Sequence, residues 1–286
     1  MNINYFYYII LKIIILKNMD TEFEEKSSPE IGSLRKTPEN LLKIFCSGSC
    51  RLLTTFANRN NVDAIHTLFG PYFDGTNFMG KFHDTKSHIQ FIKFIRGEID
   101  FNNEIKKRIL TCYNYEKWNR HGILEALHTV PEKLQNLRNQ IDNCDVYIFE
   151  ICSLKLYYYH GVYCQYEQKY GNNVDDYDII IQNESELYND LLEIKNLFPC
   201  KKIIFQCHFR PNIIYNDISK GIEKREIIYN TLVKFCSEND NCFLYDPSII
   251  LKNNNELFDD DNHFYSTGYD ASFEYVYNKY LCNSLL

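Results

Sequence analysis

The stretch LLKIFCSGSCRLLTTF, residues 41–56, decides how this chain is read. Its opening, LLKIFC, is apolar apart from Lys43 and has the length of a buried strand. Ser47, Gly48 and Ser49 interrupt the run, and after Cys50 and Arg51 a second apolar stretch, LLTTF, can open a helix. Such a strand-to-helix turn presents a serine hydroxyl at the edge of a sheet, beside the backbone N–H groups of the first helical turn. Ser49 is therefore the candidate nucleophile. Capping of the helix by Ser47 or Ser49 is the plainer use of the same residues.

Working outward, apolar runs bounded by polar residues recur at 146–151, 203–207 and 242–245. Helical patterns lie between them, at 88–95, 118–127, 131–141, 184–198 and 222–235. In the last of these, Ile222, Ile228, Leu232 and Phe235 form one stripe, while Glu223, Lys224 and Glu226 fall largely off it. Strands alternating with helices of this length predict an α/β fold, a parallel sheet covered on both faces. Its ligand site belongs at the carboxyl ends of the strands. A tyrosine-rich insertion interrupts the pattern near residues 153–183.

Residues 19–40 are polar and acidic, punctuated by Pro29 and Pro38, and read as a solvated lead-in to one domain over 41–286. The apolar run at 5–16 is short for a bilayer and carries Lys12, so membrane association is not expected. It also lacks the basic start and small-residue cleavage site of a secretory signal. The expectation is that translation starts at Met19 and that residues 1–18 are an extension, with a weak membrane-surface anchor as the alternative.

Composition narrows the function. A chain 45% hydrophobic, with 11 glycines and 7 prolines in 286 residues, is neither collagenous nor broadly disordered. The net charge of -7 offers no field for a polyanion, which argues against nucleic acid as a partner. The 11 cysteines are odd in number and without paired CxxC spacing, so reduced thiols in the cytoplasm are expected rather than disulfides or structural zinc.

A second motif lies near the end, Asp259-Asp260-Asp261-Asn262-His263, followed by an amphipathic segment through Phe273, Val276 and Tyr280. Asp260-x-x-His263 lets a carboxylate hold one imidazole nitrogen while the other faces a nucleophile. A solvated acidic loop is the alternative. The acidic run lacks the alternating ligands and glycine of a calcium loop, so no metal is expected.

A serine after the first strand and Asp-x-x-His before the last helix resemble, together, the SGNH (GDSL-like) hydrolase superfamily. Ser47-Gly48-Ser49-Cys50 in place of GDS is similar to its GSCFA-type branch, with some likeness to polysaccharide-biosynthesis acyltransferases. The resemblance implies a three-layer α/β/α sandwich with a flavodoxin-like parallel sheet of about five strands. It implies Ser49 as nucleophile, His263 as base and Asp260 as its orienter. The oxyanion donors would be the N–H of Ser49, that of Gly80 (Gly75 as runner-up), and Ser153. The family's Gly-x-Asn-Asp block is missing, since the middle strand runs VYIFEICSLK. Losing one oxyanion donor can cost about 2.7–4 kcal/mol.

Glu150, Lys155, His208 and Arg210 lie where strands end and are candidate substrate contacts. Arg210 is suited to clamp a carboxylate, phosphate or sulfate, or to serve as half of an internal ion pair. Asp246 is read as the cap of the turn that follows it, Trp118 as a core or interface residue, and Tyr157, Tyr158, Tyr159, Tyr163 and Tyr166 as packing or sugar-stacking rings. The leading expectation is a serine esterase acting on an O-acyl ester, with acylated carbohydrate implied by the resemblance and no cofactor required. An acyltransferase would need coenzyme A, its phosphates held by Lys81, Lys86 and Arg210. A degenerate module binding glycan or protein is the third reading.

Overall fold

The computed structural model describes residues 41–57, 59–66, 82–102, 105, 135, 137–164 and 177–282. The expected helix at 118–127, the lead-in, Gly75, Gly80, Lys81, Trp118 and Tyr166 lie outside the described residues.

Strands β1 (Leu42–Ser47), β2 (Val62–His66), β3 (Val146–Ile151), β7 (Lys202–Cys207) and β8 (Cys242–Tyr245) form a five-stranded sheet in the order β2-β1-β3-β7-β8. Every pairing in it is parallel. Counted by chain position within the sheet, this order is 2-1-3-4-5, the flavodoxin-like winding. Its direction reverses between β1 and β3, which opens a crevice at their carboxyl ends. The register Ser47↔Phe149 sets the end of β1 directly beside the end of β3.

Alternation along the strands divides the core. Phe45, Tyr147, Phe149, Ile203 and Phe205 face one layer; Ile44, Cys46, Ile148 and Ile204 face the other. Helices α2 (Thr85–Arg96), α3 (Glu184–Leu197) and α4 (Glu223–Glu238) bring Ile92, Leu191 and Leu232 to the first face. Helices α1 (Cys50–Phe56) and α5 (Ser266–Val276), with the wide helical turn Tyr277–Leu281, bring Leu52, Phe273 and Leu281 to the second. The result is the expected three-layer α/β/α sandwich. Each of these rings and branched side chains, moved fully out of water, contributes roughly 1.5–3 kcal/mol.

The expected strands at 146–151 and 242–245 match β3 and β8 residue for residue. The helix at 131–141 is described at residue 135 and over residues 137–141, and these are helical. The tyrosine-rich insertion holds an antiparallel sheet, β5-β4-β6, made of β4 (Lys155–Tyr159), β5 (Val162–Cys164) and β6 (Asp178–Ile181). Its rings meet one another: Tyr158 packs on Tyr163 with centroids 5.1 Å apart, and Tyr159 on Tyr177 at 5.5 Å. The remaining strands, β9 (Phe258–Asp260) and β10 (His263–Phe264), form a small antiparallel hairpin before α5. The described cysteines are free thiols. Among the described residues no helix is long and apolar enough to cross a membrane.

Candidate active site

Ser49 stands at the junction of β1 and α1. Its backbone is extended and its Oγ accepts from Arg51 N at 3.3 Å, so it caps the helix as the plainer reading holds. Gly48 is there because β3 passes too close for a side chain. A Cβ at this position would sit 2.6 Å from Glu150 Cβ.

Glu150, at the end of β3, is fully buried. Its Oε2 accepts from the Ser49 N–H and its Oε1 from Arg51 Nε, each at 2.6 Å. Burial alone would raise the carboxyl's pKa. The Arg51 guanidinium, with His83 and Ser49, outweighs burial and holds it at about 2. The expectation that Glu150 contacts substrate is therefore corrected, because both of its oxygens face inward. The Ser49 N–H, expected in the oxyanion hole, is likewise occupied by this carboxylate.

Arg51 also reaches the second motif. Its Nη1 donates to Asn262 O at 2.9 Å, and its Nη2 lies 3.4 Å from Cys152 Sγ. From the other side, Arg225 in the first turn of α4 donates through Nη1 to Phe209 O (2.8 Å) and Asp261 O (3.1 Å), and through Nη2 to Asn262 Oδ1 (2.8 Å). The two guanidinium groups thus hold the turn between β9 and β10 at the carboxyl edge of the parallel sheet. Asp260 and His263 pair directly across that hairpin. His263 Nδ1 lies 3.0 Å from both Asp260 carboxylate oxygens. A carboxylate only accepts, so Nδ1 carries the proton and Nε2 is left as an acceptor. Hydrogen bonding to His263 is the leading cause that lowers the Asp260 pKa. Both side chains are about half exposed, at 53% and 51%. Ser49, at 2% exposure, shares no hydrogen bond with His263 among the described contacts.

His208, just past β7, joins the same cluster and is nearly buried. Burial first, then the Arg51 and Arg225 charges, lower its pKa to about 3, so the ring is neutral; its Nδ1 donates to Phe209 O at 3.3 Å. A further serine–histidine contact lies beneath the site, between Ser47 and His88, both fully buried. His88 Nε2 donates to Glu150 O at 3.0 Å, so Nδ1 must accept from the Ser47 hydroxyl at 2.9 Å. Burial brings the His88 pKa down to about 4. This pair is closed off from substrate and steadies the end of β3.

Two other expectations are corrected. Ser153 is not an available oxyanion donor, since its hydroxyl donates to Lys155 O and accepts from Lys155 N, each at 3.0 Å, and its N–H goes to His83 O. Lys155 belongs to the side sheet, its ammonium 4.7 Å from the Tyr157 ring centre, with no described contact to Ser49 or His263. Of the two readings of Arg210, the structure holds the second, half of an internal ion pair. Arg210 bonds Asp246 Oδ2 through Nε at 3.1 Å and Nη2 at 2.5 Å, reaches Glu226 at 3.3 Å, and covers the Tyr229 ring. Asp246 also caps the next turn through Ser248 N. Lys86, offered with Arg210 as a phosphate ligand, pairs with Asp190 at 2.6 Å.

Arg51 and Arg225 were not singled out from the sequence, although both carry a signal. Each places a cation in the first turn of a helix, where the helix dipole disfavours it. Among the described residues no cluster of three or more histidine, cysteine or acidic side chains is placed to hold a metal.

No protein-family model matches the chain, and no curated protein matches it. Among solved structures it is similar to the Clostridium thermocellum family 3 carbohydrate esterase, at 12% identity and a TM-score of 0.40, over 86% of this chain and 98% of that one.

Proposed function

We propose that the protein is a serine-dependent hydrolase of O-acyl esters, with Ser49 as nucleophile, His263 as general base and Asp260 as its orienter. The contact that carries the reading is Arg51 Nη1 to Asn262 O. It ties the residue two places after Ser49 to the residue immediately before His263, at the carboxyl edge of the sheet. The Asp260–His263 pairing supports it by leaving Nε2 as a proton acceptor.

In this arrangement the Ser49 hydroxyl still caps α1. Attack requires a change of rotamer that releases Arg51 N, and a swing of the half-exposed His263 ring toward the turn. His263 then takes the hydroxyl proton as Oγ adds to the acyl carbonyl. Asp260 holds the resulting imidazolium, and the same proton passes to the departing alkoxide. Water, activated by the neutral ring, releases the acyl group in the second half of the cycle. The likeness of the two motifs to SGNH hydrolases favours an acylated carbohydrate as the alcohol component.

A fluorophosphonate probe tests the assignment. Wild type should label and Ser49→Ala should not, with aryl acetate hydrolysis lost in parallel. Equal labelling of the two proteins removes Ser49 as the nucleophile.

A further inference from the structure

The His263 side chain is half exposed, and its described hydrogen bonds go to Asp260 alone. Where the ring stands relative to Ser49 is therefore set by the backbone on either side of it, and both sides are pinned. After His263, the Phe264 ring is buried edge-on against Phe209, with centroids 4.7 Å apart. Before it, Arg225 Nη2 donates to Asn262 Oδ1 at 2.8 Å, and Nη1 is shared between Asp261 O (3.1 Å) and Phe209 O (2.8 Å). Phe209 belongs to both arrangements. Its ring receives Phe264, and its carbonyl shares an Arg225 donor with Asp261. Because Phe209 lies two positions past β7, the hairpin is registered directly on the carboxyl edge of the parallel sheet.

An arginine at position 225 runs against local preference. It stands in the first turn of α4, where the helix dipole disfavours a cation, and it is partly buried. Asp261 acts on it as an opposing charge, while the Asp261 carboxylate itself takes the Tyr215 hydroxyl at 2.9 Å. A lysine would meet the same attraction. What a lysine lacks is a rigid fork whose donors reach three acceptors on two separate segments. The guanidinium is used here for its geometry. Arg51 holds the same turn at Asn262 O, but it also neutralises the buried Glu150, so its removal disturbs the interior as well. Among the described residues Arg225 makes no ion pair whose loss would strand a buried carboxylate, which makes the hold on the turn separable by substitution.

We infer that Arg225 is a positioning residue for the general base: through Asp261, Asn262 and Phe209 it fixes the turn that delivers His263 to Ser49. It touches neither the substrate nor the proton in transfer. The swing of the His263 ring is then a rotation of the side chain upon a backbone held still. The inference rests on the ester-hydrolase reading for its catalytic consequence, though not for the fixing of the turn.

The test uses the full chain, with aryl acetate hydrolysis measured well below the unfolding midpoint of every variant. Arg225→Gln should lower kcat by about tenfold to a hundredfold with KM little changed, the effect of displacing a reacting group by about an ångström. The acid limb of the kcat/KM pH profile should keep its midpoint, because Asp260 and His263 are paired within the hairpin and move together. A shifted midpoint would assign the loss to that pair and overturn a positioning role. Asn262→Ala should lower kcat in the same direction, and the double variant should lose no more than the worse single one. Hydrogen exchange should quicken in Arg225→Gln over residues 258–264 and stay unchanged in β3 and β7. Unchanged kcat in Arg225→Gln, or losses that multiply in the double variant, overturns the inference and leaves hydrolysis at Ser49 standing. If wild type neither cleaves the ester nor labels with fluorophosphonate, the hydrolase reading falls and exchange alone decides whether Arg225 fixes the turn: quickening confined to 258–264 supports it, and equal exchange overturns it. If Arg225→Gln does not fold, Asn262→Ala decides by the same readouts, since unaltered kcat and exchange there also overturn the proposal.

Discussion

Arg51 Nη1 donates to the carbonyl oxygen of Asn262 at 2.9 Å, across 211 positions of the chain. The same guanidinium closes on Glu150 at 2.6 Å through Nε, so one side chain fastens the end of β3, the first turn of α1 and the β9–β10 hairpin. Neither partner of the Arg51–Glu150 pair is appreciably exposed, at 7% and 0% for the side chains. Removing one half of such a pair strands the other charge in the interior, which costs about 3–5 kcal/mol.

Arg51→Met is therefore expected to destabilise the protein by that amount near neutral pH, and the loss should depend on pH in a stated way. In wild type the Glu150 pKa is lowered to about 2 from 4.5, so its contribution is present above pH 4.5 and disappears as pH falls through 2. That contribution is roughly 3 kcal/mol. Without the guanidinium, burial raises the same carboxyl above 4.5, and the variant loses stability as pH rises through that value. The gap between the two proteins should widen from pH 2 to above 4.5. Urea midpoints measured across this range check it, and a gap constant with pH would remove Glu150 as its origin.

Much of the layered fold is legible in the chain because short apolar runs in a parallel sheet need no partner to be recognised. VYIFEI and CFLY read as β3 and β8 without correction. Strand β2 was missed, since VDAIH mixes Asp63 and His66 with apolar residues. It lies at an edge of the sheet, where Val62 is buried and Asp63 exposed. The Asp260–His263 pairing was legible for a different reason. Three positions apart on a tight hairpin, the two groups can meet whatever the rest of the chain does.

The role of Glu150 was not legible, and the two readings of Arg210 could not be separated, because a carboxylate or guanidinium at a strand end looks the same in sequence whether it faces solvent or an internal partner. Arg51 lies 99 positions from Glu150, and Asp246 lies 36 from Arg210. Pairings at such separations are set by strand order, which composition does not encode. A cation in the first turn of a helix was the one available hint, at Arg51 and again at Arg225.

Gly48→Ala tests how closely the nucleophile turn is fitted to β3. The added methyl would meet Glu150 Cβ at 2.6 Å and Leu52 Cδ2 at 3.0 Å. Neither can retreat easily, because Glu150 is fixed by Arg51 and Ser49, and Leu52 is in the core. A destabilisation of about 1–3 kcal/mol is expected. Fluorophosphonate labelling should slow with it as Ser49 is displaced. A variant with wild-type stability and labelling would show that the turn yields freely.

His88 supplies a second pH dependence. Its pKa is lowered to about 4 by burial, against 6.5 in the unfolded chain, so the unfolded state binds the extra proton first. Stability is therefore expected to fall as pH drops from 6.5 to 4, by roughly 3 kcal/mol from this residue alone. Asp84 acts in the opposite sense. Burial raises its pKa to about 6, so lowering the pH from 6 toward 3.8 relieves the buried charge and adds stability. Histidine ring NMR separates the two, since it reads His88 directly. A His88 titration midpoint near 6.5 in the folded protein would contradict the Ser47–His88–Glu150 chain.

Asp260→Asn separates a catalytic role from a structural one. Asp260 is half exposed and its described hydrogen bonds stay within the hairpin, to His263 and to Asn262 N at 2.6 Å. An exposed pair of this kind contributes little to folding, so the unfolding midpoint should stay close to that of wild type. Catalysis should respond differently. An asparagine can donate to Nδ1 as well as accept, which permits the tautomer whose Nε2 carries the proton and cannot accept one from Ser49. The expected loss is about 10²-fold or more in kcat for an aryl acetate, with KM little changed, because the missing interaction is made to the imidazolium of the transition state. Asp261→Asn, one position along the same turn, is the comparison that controls for local charge. If the two substitutions lower kcat equally, the effect belongs to the acidity of the loop, and Asp260 does not orient His263.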